Sequence, residues 1–414
     1  MHHTLRADYW IGIACVAVSL IGCATEGADD AGSDVSVVGA KADTTTSTDL
    51  MPDSAPSPLP PVVFDINAKP AKSLNATNLM RWSGSDIEYN EELVPYELNT
   101  PLFSDYAIKE RAIFIPDGAS ATYRPNEVLE FPVGTIILKS FIYPADMRSP
   151  DENKRLLETR VLVRSDSGWK AWPFLWNEDG SDATLHVGGA VLELDVIDYD
   201  GVTRQANYLV PQRNQCSKCH KLKDENGIGK IVPIGPKARH LHRDYAYPTG
   251  IENQLTRLQT LSKLDGLPDL ADIEPSFDAT NFDMTTLSEL DDNVINKAAR
   301  DYLDINCAHC HNPRAANGET SQLFLNYDNE DAFNLGICKL PGSAGKGGFG
   351  RTYNIVPGDP DDSILMYRTE TEIAGAMMPD LGRSLRHNAG AELVYEWILR
   401  MPPQSCDQPE SPND

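Results

Sequence analysis

Cys216-Ser217-Lys218-Cys219-His220 and, further along, Cys307-Ala308-His309-Cys310-His311 place two C-x-x-C pairs in one chain, each followed directly by histidine. That spacing is the attachment pattern of c-type haem. Two thiols three positions apart can add to the two vinyl groups on one porphyrin edge, and the adjacent histidine then lies beneath the iron. A four-cysteine zinc site also uses two C-x-x-C pairs but needs no histidine after each, and histidine fills only 9 of 414 positions. A thioredoxin-like redox pair needs a βαβ context that neither motif has. The residues therefore imply two covalent haems c, attached at Cys216, Cys219, Cys307 and Cys310, with His220 and His311 as proximal ligands.

The other four cysteines follow from the chain's ends. His2, His3 and Arg6 precede an apolar run from Tyr9 to Ile21, too short to span a bilayer and suited to a signal peptide. The run closes on Leu20-Ile21-Gly22-Cys23, which resembles a bacterial lipobox. Residues 1–22, with Cys15, are then expected to be a lipoprotein signal and Cys23 to carry lipid. Ala24, rather than aspartate, follows Cys23, which by analogy with enteric sorting suggests the outer membrane. Residues 23–61 are rich in Asp, Ser, Thr, Ala and Pro and read as a disordered stalk, since they bury too little apolar surface to offset ordering entropy. Cys338 and Cys406 remain, and in an oxidising compartment they are expected to pair as a disulfide, free thiols being the alternative.

Between 62 and 211 the pattern has period two. Thr159, Val161 and Val163 alternate with Arg160, Leu162 and Arg164; Leu192, Leu194 and Val196 alternate with Glu193 and Asp195. Asp166-Ser167-Gly168 and Asp200-Gly201 mark turns, and Gly134–Tyr143 reads as a strand buried on both faces. This predicts an all-β, sandwich-like domain. The period then changes to that of a helix, with Leu255, Leu258, Leu261 and Leu264 in one stretch and Val294, Ala298 and Tyr302 in another that runs into the second motif. A last helix over Ala389–Arg400 presents Leu393, Val394, Trp397 and Ile398 on one face. The expected chain is multidomain: the β domain, a first haem-binding region over 212–285, and a mainly α, cytochrome c-like domain over 286–414 with the second haem.

Ala376-Met377-Met378-Pro379 lies before the terminal helix, where a small cytochrome c presents its axial methionine. Met378, followed by proline, is the expected sixth ligand of the second iron, and Met377 a packing residue. A thioether raises the potential and fills the open position, which favours an electron carrier over a catalyst. For the first iron His242, His240 and Met284 stand equal, and a vacant position stays open; His186, in the β domain, is a further histidine. Gly345–Gly350 satisfies G-x-G-x-x-G but follows no strand and opens no helix, so it reads as a loop. The formal charge of −25 argues against nucleic acid or an anionic lipid surface as partner, leaving lipid anchoring as the membrane contact. It suits a redox protein with a basic docking face, or simple solubility.

Longer strings carry a resemblance. Pro95-Tyr96-Glu97-Leu98-Asn99-Thr100-Pro101-Leu102-Phe103-Ser104-Asp105-Tyr106, Phe131-Pro132-Val133-Gly134-Thr135, Glu158-Thr159-Arg160, Tyr302-Leu303-Asp304-Ile305-Asn306, Val356-Pro357-Gly358-Asp359-Pro360 and Met378-Pro379 with Leu381-Gly382-Arg383 resemble a family of proteobacterial envelope proteins known as dihaem c-type cytochromes. The resemblance implies a periplasmic or cell-surface protein that passes electrons from a periplasmic donor, such as a dehydrogenase, to a downstream acceptor. Two other expectations stand beside it. A dihaem peroxidase or oxidase would keep one iron open to substrate, and a haem-bearing envelope lipoprotein would use the β domain to bind glycan.

Overall fold

Alternating apolar strands joined by tight turns form the framework of the chain. The structure, a computed structural model, describes residues 57–199, 201–280, 284–315, 320–342 and 347–406, with the side chains at 284 and 285 excepted. The expected signal peptide, Cys15, Cys23 and most of the stalk lie outside the described residues. A short hairpin of β1 (Met80–Trp82) and β2 (Ile87–Tyr89) precedes the main sheet. That sheet is antiparallel and ordered β3 (Leu93–Tyr96), β4 (Ile108–Phe114), β6 (Ile136–Tyr143), β7 (Arg155–Ser165), β8 (Gly168–Trp176) and β9 (Ala183–Leu185). The two-residue β5 (Ala121–Thr122) lies outside it.

Register assigns the two faces. Ala112, Leu138, Val161 and Trp172 are successive cross-strand partners and pack with Leu74, Leu79 and Met80. One residue along each strand, Ile113, Ile137, Leu162 and Ala171 form the opposite row and pack with Leu241, Leu255, Leu258 and Ile305. A strand covered on both sides shows no solvent face, so Val161, Leu162 and Val163 are all buried.

A hairpin of β10 (Ala190–Ile197) and β11 (Thr203–Val210) packs Leu194, Val196, Ala206 and Tyr208 against Phe141, Tyr143 and Leu157. The expected sandwich takes a different form here. Opposite the six-stranded sheet lie this hairpin and helical segments rather than a second large sheet. Period two reports that a strand has two faces; it says nothing about what covers them.

The first motif forms the short helix α1 (Cys216–His220), followed by a hairpin of β12 (Lys221–Lys223) and β13 (Gly229–Ile231). Next come α2 (Ala238–Leu241) and α3 (Gln254–Thr260). The predicted helical stripe is shorter than expected: Leu255 and Leu258 are buried, Leu261 is exposed, and Leu264 forms a two-residue parallel pairing with Ala121. Ser262, in the left-handed region at φ 56°, ends the helical register.

The longest helix, α4 (Asp292–Asn306), is capped by Asp291, whose carboxylate accepts from Asn293 N at 2.8 Å. Its buried stripe runs through Ile295, Ala298, Ala299 and Tyr302, while Val294 faces outward. After α5 (Ala332–Leu335) and α6 (Ile364–Glu370), α7 (Asn388–Leu399) lays Ala391, Val394 and Trp397 into the same core. A Cβ at Gly390 would stand 2.3 Å from the Tyr302 ring, so the two helices cross as closely as they do only because that position is glycine. A disulfide joins Cys338 to Cys406. The described residues from Ser57 onward form one compact unit.

Candidate cofactor sites

α4 delivers its C-terminus directly into Cys307–His311, and β11 delivers the chain into α1, so the two motifs arrive on the ends of ordered elements. They meet in space. The Cys310 thiol donates to the Lys218 carbonyl at 3.4 Å across 92 residues, and Lys223 N donates to the Arg314 carbonyl at 2.9 Å. Leu222 and Ala315 form an isolated antiparallel bridge. Cys219, His309 and Cys310 bring their ligand atoms within 4.8 Å of one another. A hydrogen bond from Cys310 lowers the Cys219 thiol's pKa, and the same bond raises that of Cys310. All four motif cysteines are unpaired.

The motifs border two cavities, and Cys219 and His309 line both. The first, with about 1030 Å³ of empty space, is lined by Cys219 and His220 on one side and by Ile137, Lys139, Arg160 and Leu162 of the sheet on the other. The second, about 1530 Å³, is lined by Cys307, Cys310 and His311 with Leu323, Ile364 and Met378. Both volumes are partly open to solvent.

The two histidines suit iron. His220 Nδ1 lies 2.8 Å from the Val232 carbonyl, which can only accept; the proton is therefore on Nδ1, and Nε2 keeps its lone pair. Burial pushes the His220 pKa down to about 4, against the Val232 carbonyl, which favours the protonated ring. Burial likewise takes His311 down to about 4. The His311 Nδ1 is buried without a hydrogen bond of good geometry, although the Leu323 backbone is near enough to oppose the shift. Both rings are neutral at ordinary pH, the form that binds a metal.

Met378 lines the second cavity; Met377 does not. Arg383, 6% exposed, fastens the loop that carries Met378. Its Nε donates to the Met378 carbonyl at 3.0 Å, Nη1 to Leu385 O at 3.1 Å, and Nη2 to Arg368 O and Thr371 O, each at 3.0 Å. Met378 N adds a 2.8 Å bond to Arg368 O.

His240 and His242, two of the expected ligands of the first iron, lie elsewhere. His240 is fully buried with both nitrogens engaged, Nε2 with Asp304 Oδ2 at 3.1 Å and Nδ1 with Ser276 Oγ at 2.9 Å. Burial would raise the Asp304 carboxyl, but Lys237 and His240 hold it well below the usual carboxylate range. His242 Nδ1 donates to Ile273 O at 2.9 Å, and His186 Nε2 to Gly189 O at 2.9 Å. None of these three lines the first cavity, and the Met284 side chain lies outside the described residues.

Other residues that do line it escaped the sequence reading: Arg111, Lys139, Arg160 and His309. The signal for the cations was a charge inside an apolar strand, Lys139 in Ile136–Tyr143. For His309 there was none, because a variable motif position carries no pattern.

The first cavity is thus bordered by Cys219 and the neutral His220, with Cys216 packed against the sheet core beside it, and the second by Cys307, Cys310 and the neutral His311; paired thiols with a neutral imidazole are the donor set that a covalent haem would use. Comparisons with family models, with curated proteins and with solved structures found no match to this chain.

Proposed function

We propose that this chain is an envelope electron carrier holding two haems c, one on Cys216, Cys219 and His220, the other on Cys307, Cys310 and His311, with Met378 as the second iron's sixth ligand. The observation that carries the reading is the side-by-side placement of two C-x-x-C-H segments beside two cavities, one lined by His220 and the other by His311. The crossing of α4 and α7 supports a cytochrome c-like module around the second motif. When bound, each haem supplies a one-electron iron couple. The chain's part is to hold the ligating rings neutral, present the Met378 sulfur from a fastened loop and keep water from the apolar walls. A charge of −25 suits a partner with a basic docking face, and lipid at Cys23 would hold the carrier at the outer membrane.

One observation favours a second reading, a peroxidase or oxidase: of the ligands the sequence suggested for the first iron, neither His240 nor His242 lines the first cavity, and the Met284 side chain lies outside the described residues. A zinc at Cys219, His309 and Cys310 would have three ligands where a structural site takes four, and would leave Cys216, Cys307, His220 and His311 unused.

The test is intact mass and metal content of the full chain matured in a host with c-type assembly machinery. Two haem masses and two irons per chain are expected. One haem, or zinc in their place, overturns the reading. A low-spin spectrum from both ferric irons, unmoved by cyanide, removes the peroxidase; a cyanide-shifted spectrum removes the simple carrier.

A further inference from the structure

The cavity-facing side of the main sheet carries three cations in a row. Arg111 of β4 is the cross-strand partner of Lys139 of β6, and Lys139 is the partner of Arg160 of β7. They stand two residues along from Ile113, Ile137 and Leu162, hence on the same face, and all three line the cavity with Cys219 and His220. Like charges directly opposite one another destabilise a sheet, and a buried charge without a partner costs more still.

Among the described residues the protein hydrogen-bonds one carboxylate to this row, and Glu97 acts on Arg111 at longer range. Glu158, fully buried, accepts from Arg160 Nε at 3.0 Å and from the Tyr208 hydroxyl at 2.7 Å. Arg111 is 5% exposed; its Nη1 donates to the Lys109 carbonyl at 3.2 Å, and its Nη2 is buried with no partner. Lys139 Nζ lies over the Phe141 ring, 5.0 Å from its centre. Burial first, then the neighbouring Arg111 and Arg160, push its pKa well below the usual lysine range. Lys109, the next cation along β4, has Asp105 nearby and does not line the cavity. Glu158 reaches Arg160 alone, so among the described residues Arg111 and Lys139 face the cavity with no carboxylate hydrogen-bonded to either, and a bound anion would favour the charged form of Lys139 that burial disfavours.

We propose that Arg111, Lys139 and Arg160 are a receptor for two carboxylates, and that these are the propionates of the haem held at Cys216, Cys219 and His220. The proposal rests on the dihaem reading above. A haem c carries two propionates, one for each of the two cations, Arg111 and Lys139, to which no carboxylate is hydrogen-bonded. Arg111 and Arg160 offer forked donors to a carboxylate, and Lys139 a point charge between them. The same chemistry would suit a free dicarboxylate, so the test separates the two sources.

The substitutions Arg111→Gln with Lys139→Gln are placed in two full-length backgrounds, the dihaem protein and a Cys216→Ala/Cys219→Ala variant that lacks the first haem. With the first haem present, the glutamine pair should lower the melting temperature and shift one of two midpoint potentials downward, because a ferric iron is favoured once nearby positive charge is removed. Without that haem the same pair should raise the melting temperature by relieving repulsion. The charge-keeping pair Arg111→Lys with Lys139→Arg should hold the parental values.

Shifts of the same sign in both backgrounds, or a charge-keeping pair as damaging as the glutamine pair, overturn the proposal. Stabilisation of the dihaem protein by millimolar succinate assigns the row to a free dicarboxylate and overturns it too. Haem counting by mass distinguishes this failure from that of the underlying reading: two haems with no sign change sinks the receptor alone, whereas no haem on Cys216 and Cys219 sinks both.

Discussion

The same five-residue pattern borders two unlike spaces. Beside His220 the wall is a rigid sheet face bearing Arg111, Lys139 and Arg160, and the imidazole is fixed by a carbonyl. Beside His311 the wall is built from loops and short helices, with Met378 in the lining on a segment that one arginine holds through four carbonyls. The motif fixes what can be attached; the surroundings decide its ligand field and charge. On the dihaem reading, the first site is tuned by buried charge and the second by a soft sulfur donor.

That contrast breaks most sharply at Met378. Replacing it with histidine should lower only the higher of two midpoints, a change drawn from an axial-ligand range of about 0.8 V, and abolish any methionine-to-iron charge-transfer absorption. Spectroelectrochemistry in which both midpoints stay put would show that Met378 is not the ligand and that the two cavities do not differ in this way.

Arg383 gives the next largest effect. Arg383→Leu leaves the carbonyls of Met378, Leu385, Arg368 and Thr371 without their shared donor, and should cost about 2–4 kcal/mol in chemical denaturation. The second site's spectrum should change and the first site's stay constant. Equal disturbance of both would mean that Arg383 serves general stability rather than the Met378 loop.

How far the sequence reaches follows the same division. The terminal helix was legible because Leu393, Val394, Trp397 and Ile398 obey a local period, and all four are buried. The two motifs were legible because their chemistry demands fixed spacing. Local periods misplace a face by one position where several small or apolar residues crowd together, as with exposed Val294 beside buried Ile295. His240 illustrates a harder limit. Its partners, Ser276 and Asp304, lie 36 and 64 residues away, and only the fold reveals that both its nitrogens are engaged. The cation row is tertiary in the same sense, since Arg111, Lys139 and Arg160 become neighbours only once three strands are in register.

The last expected effect, confined to acid pH and absent at neutrality, concerns the residue that joins the two regions. His387 stacks on Phe103, a wall of the first cavity, at 4.2 Å between ring centres, and its Nδ1 is hydrogen-bonded to the hydroxyl of Tyr302, a wall of the second, at 3.1 Å. Burial, reinforced by Lys109, Arg383 and Arg386, pushes its pKa down to about 3. In the unfolded chain the same ring takes up a proton near pH 6.5. Between those values the unfolded state holds the extra proton, so stability present above pH 6.5 is lost as pH falls, by up to about 1.4 kcal/mol for each pH unit. His387→Gln cannot take up that proton and can still hydrogen-bond to Tyr302. It should flatten the profile of denaturation midpoint against pH between about 6.5 and 3, whatever it costs at neutral pH. His240, also depressed by burial, should leave a residual slope in the variant. Parallel profiles for the parent and His387→Gln would mean that the ring charges freely in the folded state, and that the seam between the two cavities is wetter than its packing implies.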